Sequence, residues 1–147
     1  MSTCLLPTID AIRDTFVSAV TQLGGHVTDD VRFEELLYLR SLLPHAEDVR
    51  PRDSVQGGVA LRATEREVFV HPYTMRKFCS NGAIMALMTD TRRIMRVDPD
   101  VAADQADEAM EDLRVAMQAC GHKATLAKAV SAMRLLQLRG DRVGRAF

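Results

Sequence analysis

Apolar residues return at three- and four-residue intervals through Ile9, Ile12, Phe16, Ala19, Val20 and Leu23. That spacing gathers them on one face of a helix. Thr8, just after Pro7, is placed to cap its start, and Gly24-Gly25 is placed to end it. A second helix is expected from about Val31 to Leu43, capped by Asp29 or Asp30 and stopped by Pro44. Its inward side would carry Phe33, Leu36, Leu37 and Leu43, with Arg40 at the margin.

The period then changes. HAEDVRPRDSVQGG reads as a loop, because Pro51 between two arginines and a terminal Gly-Gly disfavour a regular element. VALRA (59–63) alternates apolar and polar positions, and EVFVHPY (67–73) is rich in strand formers, so a hairpin through Thr64-Glu65-Arg66 is expected. Pro72 ends the second strand or sets it at an edge, since it cannot donate to a ladder. For residues 74–95 a hairpin turning at Asn81-Gly82 competes with a pair of short helices, and the pattern leaves both open.

The last third returns to helical spacing. One helix is expected over about 101–120, with Ala106, Ala109, Met110, Leu113, Ala116, Met117 and Cys120 as its stripe and carboxylates in its first turns. Gly121 stops it, and a second helix follows over about 124–139 along Leu126, Val130, Met133 and Leu136. So short a link predicts an antiparallel helical hairpin. The fold class is therefore α+β: N-terminal helices, a small central antiparallel sheet and a C-terminal helical hairpin, in one domain spanning residues 1–147.

Composition narrows the setting. With 47% hydrophobic and 27% charged residues, the chain is globular rather than disordered. No apolar run approaches the roughly 20 residues that cross a bilayer. The start MSTCLLPTID lacks the basic and long apolar regions of a secretory signal. Three widely spaced cysteines, Cys4, Cys79 and Cys120, suggest reduced thiols, and a cytoplasmic location with no membrane contact is expected.

The net charge of -1 hides a segmental division: residues 1–49 sum to -5, 50–96 to +5, 97–122 to -6 and 123–147 to +5. Internal pairing between segments is the preferred reading, and a basic face is the alternative.

The candidate chemistry centres on RKFCSNGAIMA, residues 76–86. Cys79 as a nucleophile would need a base, His71 being nearest in sequence, and Arg76 and Lys77 to lower the thiol pKa. No recognised cysteine-enzyme signature surrounds it, so a buried cysteine behind a turn is preferred and no catalytic residue is assigned. The histidines are scattered, with Cys120-x-His122 the only close pair of ligand types, so no metal or other cofactor is expected. Asp29-Asp30, Glu34-Glu35 and Glu111-Asp112 are read as caps and solvated helix faces.

The longer run from Asp53 to Ala86 resembles the signature of the phage/plasmid-like proteins grouped as domain of unknown function 932. The matching positions are Asp53, Val55, Gly58, Pro72, Tyr73, Arg76, Cys79, Ser80, Asn81 and Gly82. Arg52 stands where that family usually has glycine, and Ala63-Thr64 where it often has Asn-Ser. The resemblance covers about a quarter of the chain and implies no reaction, only a setting among mobile elements.

Two non-enzymatic functions compete. Arg62, Arg66, Arg76, Lys77, Arg92, Arg93 and Arg96 share a segment with Phe69, Tyr73 and Phe78. Cations for phosphates and aromatic faces for bases are what single-stranded nucleic-acid binding requires. The expected contact residues are Arg62, Arg66, Tyr73, Arg76, Lys77, Arg92, Arg93 and Arg96. The alternative is a protein-interaction or homo-oligomerisation module.

Overall fold

A computed structural model describes residues 5–76, 84–86, 91–100 and 103–145. Helix α1 (Ile9–Gln22) starts as its sequence expects: the Thr8 hydroxyl accepts a hydrogen bond from the Ala11 amide at 3.1 Å. Ile9, Ile12, Phe16 and Val20 form its buried stripe.

Four long strands follow as an antiparallel meander: β1 (His26–Phe33), β2 (Leu36–Arg50), β3 (Asp53–Ala63) and β4 (Glu67–Arg76). Two short strands, β5 (Ile84–Ala86) and β6 (Arg92–Met95), pair in turn along the outer edge of β4. The β5 pairing begins at Tyr73 and the β6 pairing ends at Val70, so Pro72 lies between the two described ladders. Pro72 therefore does not end its strand. It falls where the described pairing on that side changes partner.

The helix expected over 31–43 is instead the β1–β2 hairpin, turning at Glu34-Glu35 with Glu34 at φ 54°. Leu37, Leu39, Ser41 and Leu43 are buried, while Leu36, Tyr38, Arg40 and Leu42 alternate to the other face. Consecutive leucines satisfy either period, and pairing with β3 decides in favour of the strand. The expected loop before β3 is also corrected. Only Pro51-Arg52 turns the chain, with Arg52 at φ 68°, and Gly57-Gly58 lies in mid-strand. The β3–β4 hairpin forms as expected, its turn tied by the Thr64 hydroxyl accepting from the Arg66 and Glu67 amides at 3.3 and 3.1 Å.

Helices α2 (Ala103–Cys120) and α3 (Lys123–Arg145) occupy the expected places in the sequence but do not pack as a hairpin. Helix α2 lies against α1, β4 and β6, whereas α3 lies against β2, β3 and β4. Each stripe has its own destination. Leu113, Ala116 and Met117 join the main core with Phe16, Leu39, Leu61 and Val70, while Leu126, Val130 and Met133 form a second cluster with Val49 and Val55. One sheet face is thus covered by helices. Among the described residues, no helix is long and apolar enough to cross a membrane.

Candidate interaction face

Side chains alternate along a strand, so burial of Leu37, Leu39, Leu61, Val68 and Val70 against the helices assigns their neighbours to the opposite face. The register arranges these neighbours in rows across the sheet. One row is Phe33 and Leu36, then Glu67 and Met95 beyond the β3–β4 turn. The next is Val31, Tyr38, Arg62, Phe69 and Arg93, one residue from each of β1, β2, β3, β4 and β6. The third is Asp29, Arg40, Ala60 and His71.

Arginine and aromatic groups are interleaved on this face. The Arg62 guanidinium carbon stands 4.7 Å from the centre of the Phe69 ring, and that of Arg40 stands 5.9 Å from the Tyr38 ring. Arg40 also reaches Asp29 at 2.8 Å, and Arg93 reaches Glu67 at 3.3 Å. Arg62 makes no ion pair among the described residues.

Tyr73 closes one side of the face. Its ring lies across Gly58, where a Cβ would stand 2.5 Å from Cζ, and its hydroxyl donates to the Ser41 carbonyl. Gly58 is thus required by close approach rather than by a turn. Burial pushes the phenol pKa up to about 12, so Tyr73 is a neutral structural group with no face left for a base to stack on. Beside it, His71 is half-buried with Nδ1 3.3 Å from the Pro72 carbonyl oxygen. Burial lowers its pKa, and Arg62 lowers it further against the opposing effect of that carbonyl.

The basic residues singled out in the sequence are not gathered together. Arg62 and Arg93 share the open face, but Arg92 falls on the helix side, where it lines a groove with Thr125 and Lys128. Arg66 is exposed in the β3–β4 turn. Arg76 ends β4 opposite Val55, and Lys77, Cys79, Ser80, Asn81 and Gly82 lie outside the described residues.

Arg96 is buried, its side chain 1% exposed, and cannot meet a phosphate. It instead ties the amino-terminal segment to two turns. The guanidinium donates to the carbonyls of Leu5, Pro7 and Thr64 at 3.3, 3.2 and 2.9 Å and pairs with Glu35 at 2.9 Å. Few other side chains could serve several acceptors in so many directions.

The ion pairs among the described residues form mostly within the charge segments of the sequence, and only Arg96–Glu35 joins the basic segment 50–96 to an acidic one. Asp29 and Asp30 do not cap a helix. They point to opposite faces of β1, where Asp29 holds Arg40, and Asp30 holds Arg13 of α1 at 2.7 Å. Arg32 likewise meets Asp10 of α1 at 2.6 Å.

The Cys120 thiol is buried against the Val70 carbonyl, and His122 Nδ1 accepts from the Ala124 amide at 3.0 Å at the start of α3. Among the described residues no group of three or more potential metal ligands comes together.

Sequence reasoning missed Val31, Phe33, Leu36, Tyr38, Arg40 and Met95 as members of one surface. The signal was the strand-favouring VRF and LLYL on either side of Glu34-Glu35, which helical spacing overshadowed. No protein-family model, no curated protein and no solved structure matches the chain.

Proposed function

We propose that the chain is a non-enzymatic interaction module whose working surface is the open sheet face, and that a second copy of the chain occupies it. The observation that carries this reading is an asymmetry of exposure. Five of the eight large apolar side chains exposed among the described residues lie on this face: Phe33 (68%), Val31 (59%), Met95 (51%), Leu36 (49%) and Tyr38 (38%). Clustered apolar exposure of this kind marks contact surfaces. Aromatic residues, methionine and arginine are the types that protein interfaces favour.

Charge selects the occupant. Arg40, Arg62 and Arg93 against Asp29 and Glu67 leave the face at 3 − 2 = +1, with both signs present. A two-fold contact sets the patch against itself, which a nearly neutral and largely apolar face permits without strong like-charge repulsion. A polyanion needs an excess of cations, which the dispersed arginines do not supply. The edge offers a poorer route. β1 carries Asp29, Asp30 and Arg32 and a register shift between Val27 and Asp29, features that discourage strand addition. The likeness of residues 53–86 to domain of unknown function 932 belongs to the same proposal and supplies a mobile-element setting, not a reaction.

Sedimentation velocity over a concentration series tests this reading, with Phe33→Asp as the variant. Wild type is expected to dimerise and Phe33→Asp to remain a folded monomer. A wild type that stays monomeric throughout overturns the proposal. Salt-sensitive binding of a single-stranded oligonucleotide, lost in Arg62→Ala without any dimer, would replace it with the nucleic-acid reading.

A further inference from the structure

We infer that association through the open face is switched off by acid, with His71 as the sensing group. The inference rests on the proposed self-association and adds its regulation.

The argument begins with position. His71 is part of β4, one of the inner strands, and its row continues through Ala60 to Arg40 and Asp29. The surrounding charges are unequal. β3 contributes Arg62, β2 contributes Arg40 and Tyr38, β6 contributes Arg93, and β1 contributes Asp29. On its own strand His71 has Glu67 and the neutral Tyr73. Both carboxylates are already held by arginines, Asp29 by Arg40 and Glu67 by Arg93. A proton on His71 therefore adds a fourth cation to the face with no unengaged carboxylate among these groups to receive it. His26, in the row of Leu42 at the far end of β1, is exposed and belongs to the margin.

Covering the face removes more water from an imidazole that burial already disfavours in its charged form. The dimer then binds fewer protons than two separate chains, and linkage fixes the sign: affinity is full where His71 is neutral in both states and falls as pH drops below the pKa of the separate chain. A symmetric dimer contains the group twice.

The test measures the dimer dissociation constant by sedimentation at pH 7.5 and pH 5.5, with far-ultraviolet circular dichroism at both to confirm folding. Wild type is expected to dimerise measurably more weakly at the lower pH. His71→Gln, neutral at both, is expected to dimerise equally at both. Equal wild-type affinity at the two pH values, or the same loss in His71→Gln, overturns the inference while leaving the dimer intact. A wild type monomeric at both pH values refutes the underlying dimer instead. Should His71→Gln fail to fold, His71→Asn takes its place with the same expected result.

Discussion

The two faces of this sheet obey different rules. On the covered face the alternate residues of β2, β3 and β4 are mostly leucine, valine and alanine, shielded by the three helices and almost without contact with water. On the open face the intervening positions carry Tyr38, Arg40, Arg62, Phe69 and His71, and Val31, Phe33, Leu36 and Met95 stand in solvent. Covered-face residues contribute stability through burial, whereas those on the open face contribute little to the single chain. A residue type that adds little to folding yet exposes oily surface is better explained by what it touches outside the chain.

Substitutions on the two faces should differ accordingly. The largest loss is expected for Leu61→Ala on the covered face, about 3–4 kcal/mol in denaturant unfolding, because a fully buried side chain leaves a cavity among α1, α2 and the sheet. Arg96→Met should follow at about 3 kcal/mol, since it strands three carbonyls and Glu35 at the sheet margin. Gly58→Ala should cost about 2 kcal/mol by pressing a methyl group into the Tyr73 ring. Phe33→Asp should change unfolding of the monomer by less than about 0.5 kcal/mol. An equal loss in Phe33→Asp and Leu61→Ala would erase the distinction between the faces.

Local signals made parts of this fold legible. Thr8 and the α1 stripe, the β3–β4 hairpin, and the Gly121 break between α2 and α3 were all readable from neighbouring residues. Choices made by distant partners were not. Residues 31–43 form strands because β3 stands beside them, and α2 parts from α3 because their stripes enter different clusters. The site was legible only in fragments. Arg62 and Arg93 could be noticed as basic, but β6 sends Arg92 and Arg93 to opposite faces and brings Arg96 into a buried clamp. Charge counting along a chain cannot see that division, because strand alternation and register create it.

Hydroxyl-radical footprinting over a concentration series reads the proposed contact directly. Phe33, Tyr38 and Met95 should become protected together as the chain concentration rises, while the equally exposed Val115 and Leu135 on the helices keep their reactivity. Unchanged reactivity on the open face, or protection confined to the helices, would contradict the assignment of that face as the surface where two copies meet.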